Sequence, residues 1–376
     1  MHDLAPDKAV VRPRICGIGC FYSTFPMMLG QVHAEIFFPR EQMDHSKAAF
    51  AGILKFIAAP VIAIVLLIWA IWVLVAKFKG FSAADIFHQM SLVHFSQIIT
   101  AIGITTLNYA VMTGYDYFGM RYAAVRLPFR KIALAAIVGD ALNTNLGLNI
   151  LVGSTIKLRL YSSWGVRVLS IIKAIGMYTI GGYWNGFLFL TGLALIWASP
   201  RILPSLLPLT AWRYIGAAFM LIIVLWLINA VINKKSLKFG KHSLNMPGIS
   251  IAFPLFVISC CDWALAASVF YTLLPRELGI DWHHLLAVFL LAHFLGMLSQ
   301  APGGIAVFES TVLILVGNLT SVPSLSASLV LFRVIFYFLP LVVATSLFLV
   351  FEIMMTRRIL KNKMQMTKRD LSGTGY

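Results

Sequence analysis

The chain has 376 residues, 60% of them hydrophobic and only 12% charged, with a mean hydropathy of +0.86 and a formal net charge of +16. Soluble domains hold roughly 45 to 50% apolar residues, so a water-soluble globule is excluded. The basic residues sit in short loops and tails between apolar runs, which is the positive-inside pattern of a multispanning membrane protein and not the footprint of a nucleic-acid binder.

Residues 1–42 carry scattered Pro, Gly, Cys and charge without a period, and are expected to be a poorly structured extension, with Met43 as the native start. No cleavable signal peptide is expected, because the first long apolar run begins near residue 56 and is long enough to stay in the bilayer. Residues 43–356 are read as the membrane domain and 357–376 as a basic cytoplasmic tail. Cys16, Cys20, Cys260 and Cys261 have neither zinc nor disulfide spacing and read as small buried hydrophobes.

Lys47 and Lys55 place the N-terminal side in the cytoplasm, so a first helix over residues 54–76 runs outward. Ser82 and Asp85 have the spacing of a capping box that opens a short interfacial helix toward His94. A second helix over 92–114 returns to the cytoplasm, where Arg121, Arg126, Arg130 and Lys131 follow it; Asp116 and Arg121 are expected to form a local ion pair.

The next apolar segment, 132–152, has basic residues on both sides, since Lys157, Arg159 and Arg167 follow it. Its middle holds Asp140, Asn143, Thr144, Asn145 and Asn149, too polar for a lipid-facing helix, and it is read as a re-entrant hairpin entering from the cytoplasm. A fourth helix is expected over 168–197, a fifth over 213–233 and a sixth over 249–274, with Lys234, Lys235, Lys238 and Lys241 on the cytoplasmic side. A last helix over 326–355 ends inside, before Arg357, Arg358 and Lys361.

Two short apolar pieces, 285–301 and 305–319, meet at Pro302, Gly303 and Gly304 and read as a second hairpin of opposite orientation. Aligned residue by residue, 146–155 and 302–311 share Gly147 with Gly303, Ser154 with Ser310 and Thr155 with Thr311. Internal duplication and chance both stay open. The expectation is therefore an all-α polytopic protein of six to eight spanning helices with two oppositely oriented re-entrant hairpins, and inverted repeats as an option. Broken segments in corresponding places of two halves point to a central transport site. Helix N-termini at the hairpin tips would then favour an anionic phosphate in the middle of the membrane.

The stretch Leu298-Ser-Gln-Ala-Pro-Gly-Gly-Ile-Ala-Val-Phe-Glu309 resembles the Pro-Gly-Gly-x-Gly-x-x-Glu signature of the lysylphosphatidylglycerol synthase transmembrane family, with Ala306 in place of the second glycine. Tyr115-Asp-Tyr-Phe-Gly-Met-Arg-Tyr122, the run from Asn143 through Gly153 to Tyr161 with Gly165, and Arg333 with Tyr337 and Pro340 also resemble it. The likeness covers residues 50–355. It implies the membrane half of the multiple peptide resistance factor, regarded as a flippase for aminoacylated phosphatidylglycerol. In the bifunctional members a soluble domain makes that lipid from aminoacyl-tRNA. Residues 357–376 are too few to form such a domain, so no transferase activity is expected of this chain.

Ionisable groups inside a membrane segment cost roughly 2.5 to 3.5 kcal/mol or more each at mid-depth, which marks them as candidates for function. The substrate pathway is assigned to Asp140, Asn143, Asn145, Asn149, Lys157, Arg159, Tyr161, Pro302, Gly303, Gly304, Glu309 and Arg333, and ion coupling to Asp262 and His293. Glu309 with Arg333 also fits a purely structural clamp between the second hairpin and the last helix, and His293 fits a packed core histidine. His283 and His284 read as loop residues, and no nucleotide motif, metal cluster or cofactor site is recognisable.

The first functional expectation is lipid translocation across a bacterial cytoplasmic membrane, with both termini in the cytoplasm. Anionic or aminoacylated phospholipids would be the partners, with a separate lipid synthase and self-association as further options. The alternative is a membrane-embedded lipid-modifying enzyme, or the non-catalytic partner of such a synthase. No nucleophile with an adjacent base supports that alternative.

Overall fold

The computed structural model describes residues 82–146, 151–198, 207–232, 236–239, 242–245, 247–275 and 278–373. The expected first helix, the N-terminal extension and Asn149 lie outside these residues. The described helices belong to one compact unit.

The chain is helical nearly throughout. α1 (Ala83–Ser91) starts with the expected capping box: Ser82 N–H donates to Asp85 Oδ2 at 2.7 Å and Asp85 N–H to Ser82 Oγ at 3.3 Å. These bonds hold the Asp85 carboxyl below its ordinary value. The box is therefore complete above the usual carboxylate range and fades as pH falls through the lowered value.

α2 (Phe95–Tyr122) follows, then α3 (Phe129–Leu146) and α4 (Leu151–Ser163), which pack against one another. α5 (Val168–Trp197) is α-helical at both ends and π-helical over Thr179–Tyr183. α6 (Leu209–Ile232) precedes two four-residue strands, Ser236–Phe239 and His242–Asn245, which pair as a small sheet. Apart from these eight residues the described elements are helices, as expected of an all-α protein.

α7 (Ile249–Leu273) is followed by α8 (Trp282–Leu298), a 3-10 turn over Pro302–Gly304 and α9 (Val307–Val316). α10 begins with Val322–Phe332, becomes π-helical over Arg333–Phe338 and continues through Leu339–Gly373.

Five helices among the described residues are long and apolar enough to cross a membrane: α2, α5, α6, α7 and α10 as far as Arg357. Their outer faces carry what lipid requires. On α6, Leu221, Leu225, Ile228 and Ile232 all point away from the protein. α4 with 13 residues and α9 with 10 are only about 20 Å and 15 Å long, shorter than the roughly 30 Å hydrocarbon core. α8, with 17 residues, reaches about 25 Å.

The core lies among α7, α8, α9 and α10, where Phe270, Phe289, Phe308 and Phe332 pack mutually at ring separations of 5.3 to 6.3 Å. α2 runs along α7.

Candidate functional site

A cavity of about 540 Å³ lies between the α3–α4 and α8–α9 helix pairs and is closed by α2, α5, α7 and α10. Both helix pairs contribute to its wall: Gly139, Asp140, Asn143 and Lys157 from the first, His293, Gly303 and Phe308 from the second.

Lys157 stands at the centre of the first pair and is 2% exposed. Its Nζ donates at 2.6 Å to Asp116 Oδ2 and at 2.6 Å to Asp140 Oδ1, and at 2.9 Å to the Tyr178 hydroxyl. An ammonium has three protons, and here each has an acceptor. Tyr161 completes the group by donating to Asp116 Oδ1 at 2.9 Å. The site can form because α3 and α4 approach closely. A Cβ on Gly139 would come within 2.5 Å of the Lys157 chain, and one on Gly153 within 2.5 Å of Asn143 Cβ. The expected local pair of Asp116 with Arg121 is thus corrected. Asp116 is buried and faces inward to Lys157, while Arg121 on the next turn is exposed.

Arg333 holds the second pair. Its Nε donates to Glu309 Oε1 at 2.6 Å and its Nη1 to the Gly303 carbonyl at 2.5 Å, with the guanidinium 4.6 Å from the Tyr337 ring centroid. Glu309 and Arg333 lie behind the cavity wall, which Gly303, Phe308 and Tyr337 form in front of them. Gly303 and Gly304 have φ of +59° and +64°, values glycine adopts without a side-chain clash. Ala306, where the family signature has glycine, has φ +71° and ψ −41° at the N-cap of α9. Its carbonyl accepts from the Ser310 hydroxyl.

The π-helical stretch of α10 touches both helix pairs. Arg333 at its start binds Gly303, and the Tyr337 carbonyl accepts from Asn145 Nδ2 at 3.1 Å. A π segment widens the helix and commonly sits at a functional position. The second one, Thr179–Tyr183 in α5, sets Tyr183 in the cavity wall beside Tyr178.

Asp262 also lines the cavity, but its carboxylate is already held by α2: Asn108 Nδ2 donates to Oδ1 at 2.9 Å and Tyr115 to Oδ2 at 3.0 Å. His293 packs against Trp263, Phe289 and Phe308, and its Nε2 lies 3.2 Å from the Tyr337 hydroxyl. Arg159 is exposed and pairs with Glu352 of α10 at 3.2 Å, away from the cavity. Pro302 opens the turn that carries Gly303.

Asp140 Oδ2, Asn143 Oδ1, Glu309 Oε2 and Arg333 Nη2 are buried and have no hydrogen-bond partner among the described residues. Each such atom costs about 1 to 3 kcal/mol unless a guest or water satisfies it. The first two belong to residues of the cavity wall.

The residues that sequence reasoning did not place at the site are mostly on α2. Thr105, Asn108, Tyr115 and Asp116 are all buried and fall near helical spacing on one face. That polar stripe on an otherwise apolar spanning helix was the available signal.

No family profile matches the chain. It is 31% identical over 270 residues to the Synechocystis protein slr0712, covering 71% of this chain and 83% of that protein. It is 25% identical over 273 residues to the Escherichia coli inner membrane protein YbhN, covering 72% and 84% of the two. A phosphatidylglycerol lysyltransferase of Staphylococcus aureus strain MRSA252 is 21% identical over 290 residues, covering 74% of this chain and only 32% of the enzyme. The chain therefore spans about a third of the length of that lysyltransferase. With the signature around Gly303 and a likeness confined to the corresponding third of the enzyme, the chain belongs to the lysylphosphatidylglycerol synthase transmembrane family of integral membrane proteins.

Proposed function

We propose that this protein moves a phospholipid, anionic or aminoacylated, across the bacterial cytoplasmic membrane through the cavity between its two short helix pairs. In this reading α3–α4 and α8–α9 are re-entrant hairpins that dip into the bilayer from opposite faces, with both termini in the cytoplasm. The observation that carries it is the meeting of the two pairs at a polar centre: groups from both line one cavity of about 540 Å³. That volume lies inside the roughly 300 to 1,000 Å³ range of small-molecule sites, and is adequate for a lipid headgroup while the acyl chains remain in the membrane.

Moving a charged headgroup through hydrocarbon unaided costs tens of kcal/mol in the idealised limit. The proposed route lowers that barrier by replacing headgroup hydration with fixed partners: the unsatisfied acceptors Asp140 Oδ2 and Asn143 Oδ1 for the N–H donors of an aminoacyl or ethanolamine ammonium, and backbone N–H groups near the start of α4, at Gly153 and Ser154, for the phosphate. Asp262 and His293, both in the wall, are the candidate groups for coupling to an ion. The short α4 and α9 fit the hairpin reading, because neither is long enough to cross alone.

The test is transport by the purified chain in vesicles carrying fluorescent phosphatidylglycerol, its lysyl ester or phosphatidylethanolamine in one leaflet. Protein-dependent loss of leaflet asymmetry for at least one lipid is expected. A rate equal to protein-free vesicles for every lipid in the panel overturns the proposal.

A further inference from the structure

Outside the cavity, the start of α8 brings together three metal-ligating side chains. Asp281, His283 and His284 each offer one ligand atom, and these atoms all lie within 4.8 Å of one another. His283 and His284 are in the first turn of α8, not in a loop as the sequence suggests. Successive helical residues point about 100° apart. The two rings nonetheless lean together, with centroids 4.0 Å apart.

Asp281 is the N-cap of α8, where an aspartate usually accepts a backbone N–H from the first turn. It makes no such bond here. Its Oδ2 lies instead 3.7 Å from His284 Nδ1. The frame is fixed from behind, since the Trp282 indole donates to Ser268 Oγ of α7 at 3.0 Å. The group faces outward, with the Asp281 side chain 73% exposed, so ions from solution can reach it.

Two imidazoles and one carboxylate are the donor set of borderline divalent transition metals, whereas calcium and magnesium require a larger set of oxygens. Ligands about 2.0 to 2.2 Å from a tetrahedral zinc stand roughly 3.3 to 3.6 Å from each other. The Asp281–His284 separation needs only a small adjustment to meet that. We infer that Asp281, His283 and His284 form a binding site for a Zn²⁺-class divalent cation, with its remaining coordination open to water. The bound ion would fasten the N-cap residue to the first turn of α8, the helix that carries His293 to the cavity wall about 14 Å further along. The site's chemistry does not depend on lipid transport, so it stands or falls separately from the proposed function.

The experiment uses the full-length protein in detergent, stripped with chelator and titrated with ZnCl₂ by calorimetry and with CoCl₂ by visible absorption. The wild type is expected to show a zinc site that Asp281→Asn weakens by roughly tenfold or more. That site should be absent in the double variant His283→Gln/His284→Gln. Zinc should also raise the melting temperature of the wild type and leave that of the double variant unchanged. The inference is overturned if the double variant keeps the wild-type zinc isotherm. It is overturned equally if the wild type leaves the Co²⁺ spectrum as it is in water, a result that needs no variant to fold.

Discussion

A Cβ placed on Gly303 would stand 3.6 Å from the carbonyl oxygen of Thr144, so the turn between α8 and α9 lies directly against the end of α3. Arg333 and Tyr337, one turn apart in the π-helical part of α10, fasten these two places to the same stretch of backbone. The geometry makes α10 a common support for both helix pairs.

Gly303→Ala tests that contact. The new methyl group would be held at φ +59° and 3.3 Å from Arg333 Nη1. A left-handed alanine costs about 1 to 2 kcal/mol before any displacement of the arginine. A lower melting temperature and slower lipid movement are expected together. Unchanged values of both would contradict the tight junction.

The Lys157 group predicts a reversal of sign between single and combined variants. Lys157→Met leaves Asp116 and Asp140 facing each other without their cation, and removing one partner of a buried pair costs about 3 to 5 kcal/mol. Adding Asp116→Asn and Asp140→Asn removes the stranded charges, so the triple variant should recover most of the lost stability. Thermal melting in detergent decides this. A triple variant no more stable than Lys157→Met would mean that the carboxylates are not what the lysine balances.

Ala306 should be improvable. Its φ of +71° with ψ −41° is a conformation in which a side chain is strained. Ala306→Gly should raise stability by up to about 1 kcal/mol, the relief of strain being partly offset by the greater freedom of glycine when unfolded. A melting temperature below that of the wild type would show that the alanine methyl has a packing role outweighing the strain.

Arg159 offers a separation of function from stability. Its ion pair with Glu352 is exposed and contributes roughly 0 to 1 kcal/mol. Arg159→Gln should therefore melt close to the wild type. If the arginine receives anionic headgroups at the membrane surface, the variant should slow transport of phosphatidylglycerol more than that of phosphatidylethanolamine.

Much of this architecture is written in local pattern. The apolar run at 168–197 became one helix with those bounds, and Ser82 with Asp85 capped α1, because length and capping depend on neighbours in sequence. Glu309 with Arg333 was legible as a pair because two opposite charges in apolar surroundings have few other partners. Asp116 was misread for the converse reason: Arg121 is close in sequence, but its own helix directs it outward, and the true partner comes from α4. The two π segments had no sequence signal that distinguished them from ordinary helix, although Arg333 and Tyr337 were visible as residues of interest. His283 and His284 were passed over because adjacent residues normally diverge, and only the geometry of the α8 start brings their rings together.

The central claim, a water-accessible polar centre built by both helix pairs, is tested most directly by thiol labelling. In a background with the four native cysteines replaced by serine, Ser154→Cys and Met297→Cys place single thiols on the cavity wall, one from each side. Leu225→Cys places one on the outward face of α6. A membrane-impermeant maleimide should modify the first two in intact vesicles and leave the third unmodified. Reactivity at residues 154 and 297 as low as at residue 225 would contradict the account.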